Sequence, residues 1–159
     1  MVALIATVVF GSLLAGCGTS EPDRVSKAAM VRKADKVCTA GLRDADRLRA
    51  QAKPGASGKA AGAEIDASIE VLQRQIDAFA DLRGPASTDA AREQAVSQLG
   101  LARDGLERLR AAAVDHGLTV DAAIQANPGV VQQVNRASAK ASDALGELGF
   151  LTCIGVASG

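Results

Sequence analysis

"EIDASIEVLQRQIDAFADL" (residues 64–82) places Ile65, Ile69, Leu72, Ile76 and Phe79 at steps of four, three, four and three. Such steps return to one side of an α-helix, because the helix turns about 100° per residue. The other sides carry Asp66, Glu70, Gln73, Asp77 and Asp81. A single apolar stripe of this kind must be buried against other elements. The flanking sequence therefore has to supply helices with matching stripes.

It does so in both directions. Upstream, Val31, Ala34, Cys38, Leu42, Ala45, Leu48 and Ala52 predict a first helix over about residues 23–53. Ser20 or Asp23 is placed to cap it, with Pro22 in its first turn. The Gly- and Pro-containing "KPGASGKAAG" (residues 53–62) reads as a loop, and the second helix follows over about residues 63–83. "RGPASTD" then supplies a stop at Gly84 and Pro85 and a restart at Ser87, Thr88 or Asp89. A third helix is predicted over residues 89–115, with Ala95, Leu99, Ala102, Leu106, Leu109 and Ala113 on one stripe. "LTVDAAIQAN" (residues 118–127) predicts a short helix capped by Thr119. Asn127 and Pro128 open the last helix, through Val131, Val134, Ala141, Leu145 and Leu148, and Gly149 ends it before the tail "FLTC". No period-two alternation persists anywhere. The expected fold class is all-α: an up-down-up-down four-helix bundle with a short extra helix before the last one. The alanine-rich stripes favour close helices, at the short end of the usual ~8–10 Å separation. Close helices leave little room for an internal ligand.

Two charge stripes suggest a register for the first hairpin. Arg32, Lys36, Arg43 and Arg47 are spaced four, seven and four, and Asp66, Glu70, Asp77 and Asp81 repeat that spacing. An antiparallel pairing sets Arg47 level with Asp66, Arg43 with Glu70, Lys36 with Asp77 and Arg32 with Asp81. It also sets Gly41 level with Leu72 and centres the turn between Ala56 and Ser57. The alternative is two solvated faces that share a spacing because the helical repeat allows few others. In the paired register, residues before Met30 project beyond the second helix as a stalk.

Composition bounds the function classes. The 159 residues are 48% hydrophobic and 23% charged, enough for a core in one domain. Phe10, Phe79 and Phe150 are the only aromatic residues, so base or sugar stacking has almost no platform. Lys and Arg number 18, as do Asp and Glu, which speaks against nucleic acid as a partner. Locally the balance shifts: residues 21–53 hold nine bases and five acids. Such a segment is attracted to anionic headgroups.

Met1 to Gly16 carry no charge, a stretch too short to span a bilayer comfortably and suited to a signal peptide. "LLAGCG" (residues 13–18) resembles a bacterial lipoprotein signal, with Leu14, Ala15 and Gly16 preceding Cys17. The resemblance implies cleavage before Cys17, diacylglycerol on its sulfur and a place on the outer face of the cytoplasmic membrane. No Lys or Arg precedes the apolar run, so a basic segment belongs upstream if the true start lies further back. The expected domain plan is a signal peptide over 1–16, a tether over 17–23 and one helical domain over 24–159.

Cys38 and Cys153 then remain, and in an exported compartment one disulfide is the simplest use of them, joining the first helix to the C-terminal tail. Two buried free thiols are the alternative. Chemistry is sparse. His116 is the only histidine and sits where a helix ends at Gly117, a good place for a cation facing the helix dipole. It leaves Cys38 and Cys153 with one possible soft partner, too few for a metal site, and no Ser/His/Asp set can be assembled around it. Asp77 with Asp81, at i and i+4, reads as a solvated face or as paired with the first helix. Asp143 with Glu147, also at i and i+4, lies near a helix C-terminus where like negative charges are slightly unfavourable, which points to a contact surface or to a neighbouring Arg.

"ADKVCTAG" (residues 34–41), "FADLRGP" (79–85) and "ELGFLTC" (147–153) make the layout similar to small uncharacterised helical lipoproteins of high-GC actinobacteria. That resemblance implies a helical bundle with a disulfide from first helix to C-terminal end, and no activity. The functional expectation is a non-enzymatic binding or accessory module at the cell envelope, with no cofactor beyond the lipid on Cys17 and an envelope protein as partner. A carrier of an apolar ligand inside the bundle is the alternative.

Overall fold

The computed structural model describes residues 24–154. The signal segment, Cys17 and the tether lie outside the described residues, as do the caps expected at Ser20 and Asp23. The described residues form helices joined by short loops and contain no strand.

Helix α1 spans Lys27–Gln51, and Ser26 begins it by accepting the Ala29 N–H on its hydroxyl at 3.3 Å. This cap satisfies one of the four unpaired N–H groups of a first turn. Helix α2 spans Lys59–Ala80, four residues ahead of expectation. The Gly-rich loop ends at Gly58, whose φ of +59° makes the turn. Gly62 then lies inside the helix, where the lack of a Cβ admits Val114 of the third helix. Helix α3 spans Asp89–Asp115 after a 3₁₀ turn at Ala86–Thr88. Helix α4 spans Val120–Ala126 behind the Thr119 cap, whose hydroxyl accepts the Ala122 N–H at 3.2 Å. Helix α5 spans Pro128–Leu148. Gly149 ends it at φ +86°, and the Phe150 N–H turns back to the Leu145 carbonyl at 2.9 Å. The tail is one further helical turn, α6, Leu151–Ile154.

Polar contacts fix how neighbours meet. Arg74 of α2 reaches Asp44 of α1 at 3.0 Å, and Glu64 accepts the Lys53 N–H at 2.9 Å. Gln75 occupies the space above Gly41. Gly41 therefore faces α2 about one turn beyond Leu72, so the expected register is displaced. Arg110 of α3 meets Asp66 at 2.6 Å and Arg103 meets Gln73 at 2.8 Å, joining α3 to α2. Gly105 of α3 lies against Val134 of α5. The most extensive packing is between α3 and α5, followed by α2 with α3. The N-terminal segment is not a stalk from Arg24 onward: the Val25 N–H donates to the Arg83 carbonyl at 2.8 Å, and Arg24 reaches the Gly84 carbonyl at 3.0 Å.

The interior divides in two. One cluster gathers Met30, Ala34 and Cys38 of α1 with Phe79, Leu82, Ala95, Leu145, Leu148, Phe150 and Cys153. Within it the Phe79 and Phe150 rings stack with centroids 6.1 Å apart. Cys38 and Cys153 are joined in a disulfide, with Cα atoms 5.1 Å apart. The other cluster holds Ala61, Ile65, Leu109, Ala113 and Ala123, from α2, α3 and α4 alone. Helix α1 contributes to the first core and not to the second. Beyond Gly41 the C-terminal half of α1 contributes no fully buried residue.

Candidate functional site

A wide recess lies along that half of α1. Ala45 and Leu48 of α1 and Ala52 just past its end face Ile65 and Val71 of α2, Leu106 and Leu109 of α3, and Val120 and Ile124 of α4 across a cleft of about 660 Å³. The two connecting loops meet at this end, where the Gly58 N–H donates to the Leu118 carbonyl at 2.9 Å. Small side chains on α1 leave the opposing wall uncovered, and Ile124 remains 38% exposed. The exposed side chains of Arg49, Lys53 and Asp121 border the apolar floor. The expectation that alanine stripes would close the interior fails here: α1 meets α2 through Asp44 and Arg74, but the small side chains of Ala45 and Ala52 leave the space beside Leu48 unfilled. A smaller cavity of about 140 Å³ lies deeper, lined by Cys38, Leu72, Phe79, Leu99 and Leu145, with Leu106 common to both spaces.

The charge stripes do not meet. Arg32, Lys36 and Arg43 are exposed and form no salt bridge among the described residues. Arg47 pairs within its own helix, with Asp44 at 3.1 Å. Asp66 turns to Arg110 of α3, and Asp77 accepts from Gln73 at 2.7 Å while adding to the negative field at Arg103. Glu70 and Asp81 are exposed. The physical reason is azimuth. The buried side of α1 is set by Met30, Ala34, Cys38 and Gly41, and the basic stripe lies opposite it. None of the four cross-helix ion pairs expected from spacing forms among the described residues, and of their acids only Asp66 pairs with a side chain of α3.

The membrane-facing end expected from the sequence is organised around Arg24. Its guanidinium donates twice to Asp89, at 3.2 and 2.9 Å. That hydrogen bonding holds the Asp89 carboxyl below its ordinary value of 3.8, aided by the charges of Arg24, Arg92 and Arg83 and opposed by desolvation. Arg92 is itself buried and donates to the Ala80 carbonyl at 3.0 Å, closing the last turn of α2. Its Nε finds no partner. Arg103 is pushed further toward its charged form by its hydrogen bonds to Asp104. His116 stands exposed at the C-cap of α3.

Sequence reasoning missed the cleft. The available signal was Ala45 and Ala52 on the same face as Leu48, next to a loop containing Pro54 and Gly55. No helix among the described residues is long and apolar enough to cross a membrane. No protein-family description, no curated protein and no solved structure matches the chain.

Proposed function

We propose that this chain is an exported binding module of the cell envelope, lipid-anchored at Cys17 on the outer face of the cytoplasmic membrane, and that its apolar cleft receives what it binds. In this reading α1, α2, α3 and α5 alternate in direction as an up-down-up-down four-helix bundle. The contacts of Asp44 with Arg74, Asp66 with Arg110 and Gly105 with Val134 support that arrangement. The module works by binding, without an enzymatic step or a cofactor. The observation that carries the reading is the cleft of about 660 Å³, which lies within the ~300–1,000 Å³ range of binding pockets.

The same volume favours a second reading, in which the occupant is a small apolar molecule and the module is a carrier. One experiment separates the two. A photo-crosslinking residue replaces Ile124 at the edge of the cleft, and the full chain is irradiated in its native envelope. A recurring protein adduct, absent when Ala45→Trp fills the cleft, supports the accessory module. Adducts confined to lipid or another small apolar molecule support the carrier. Labelling unchanged by Ala45→Trp removes the cleft from either role.

A further inference from the structure

We propose that the outer ridge of α1 is a docking surface for an anionic lipid bilayer, so that the anchored domain lies with this helix along the headgroups. This deepens the anchored reading above. Arg32, Lys33, Lys36, Arg43 and Arg47 are all exposed. At 100° per residue they fall within an arc of about 100°, opposite the side that buries Met30, Ala34, Cys38 and Gly41. From Arg32 to Arg47 the ridge runs about 22 Å.

The acids of α1 do not neutralise it. Asp35 accepts from Thr152 at 2.9 Å, and Asp46 pairs with Arg49 at 2.7 Å. Asp44 serves Arg74 and Arg47, and Arg47 keeps 65% of its side chain exposed. Arg32, Lys33, Lys36 and Arg43 make no salt bridge among the described residues. Of the acids of α2, Asp66 is held by Arg110 of α3, Glu64 accepts the Lys53 N–H and Asp77 accepts from Gln73, and none pairs with the ridge among the described residues.

The chemistry of the ridge selects a lipid surface over a folded protein. Its apolar members are alanines such as Ala40 and Ala50, and the exposed large apolar side chains of the chain, Leu101, Ile124 and Leu151, all lie on other helices. A protein interface needs a desolvated centre with large anchors. A headgroup layer needs only complementary charge, each base near it strengthening binding about fivefold. The ridge also has no aromatic side chain on which nucleic acid bases would stack.

The test uses the full chain with vesicles of phosphatidylcholine alone or mixed with phosphatidylglycerol. Flotation with the zwitterionic vesicles reports the anchor. Acetylation rates of Lys33 and Lys36, read by mass spectrometry against Lys59 and Lys140, report the ridge. The expected result is several-fold protection of Lys33 and Lys36 on anionic vesicles only, fading as salt shortens the screening length. The triple variant Arg32→Gln/Arg43→Gln/Arg47→Gln weakens docking about a hundredfold and restores both rates, with helicity checked by circular dichroism. Equal rates on the two vesicle types overturn the proposal, as does protection that survives the triple variant. Protection by an acidic polypeptide but not by anionic vesicles also overturns it, assigning the ridge to a protein. A chain that floats only with anionic vesicles loses its anchor and keeps its ridge.

Discussion

Gly105 shows how much one missing methyl group decides. A Cβ there would collide with Val134 across the α3–α5 contact, whereas a Cβ at Gly100 of the same helix meets open space. Gly105→Ala is expected to cost about 1–3 kcal/mol through overpacking, in spite of the better helix propensity of alanine. Gly100→Ala should instead gain up to ~1 kcal/mol. Urea unfolding midpoints of the two variants check both signs. The Arg24–Asp89 pair has a different signature. Asp89 has its carboxyl pKa depressed in the folded state, so its stabilising contribution is complete above the ordinary value of 3.8 and is lost as pH falls through the lower folded value. Asp89→Asn should remove that part of the acid limb in a stability–pH profile and leave the neutral region's shape unchanged.

At the scale of the element, α1 is the helix whose role differed most from its reading. Its stripe of small residues indicated close packing along the whole length. The structure honours this through Cys38 and Gly41 and departs from it beyond Asp44. The end of α3 was legible because Gly117 is a local signal, as were the Thr119 and Gly149 caps, whereas its start stayed open among Ser87, Thr88 and Asp89. The start of α2 was not, since Gly62 in the sequence looks like loop and only the approach of Val114 explains it as helix. The charge stripes failed on a second ground. Spacing proves that residues share a face but carries no information on which neighbour that face meets. Such information requires the azimuth of the stripe relative to the buried side. The loop-entropy contribution of the Cys38–Cys153 bond, closing a separation of 115 residues, is about 4–5 kcal/mol. Cys38→Ser/Cys153→Ser should lower stability by up to that amount, and wild-type protein melted in reductant should behave as the double variant does.

At the scale of the molecule, one end is tightly filled and tied, and the other is open. The filled end holds the stacked phenylalanines, the disulfide and the Arg24 contacts; the open end holds the cleft. Ala45→Phe should fill part of the opening and abolish fluorescence enhancement of an apolar dye such as anilinonaphthalene sulfonate. The same substitution should leave far-ultraviolet circular dichroism unchanged, because the cleft wall at Ala45 faces space.

The disulfide also sets how the domain answers a mechanical load. Tension applied between the two ends of the chain enters α1, crosses from Cys38 to Cys153 and leaves through α6. The separation of 115 residues between the cysteines is thereby bypassed, some 400 Å of contour that cannot pay out under force. Only the short segment before Cys38 and the turn around Cys153 carry strain. A domain pulled at its ends while its far end holds a ligand would keep its cleft intact until the sulfur bridge is broken.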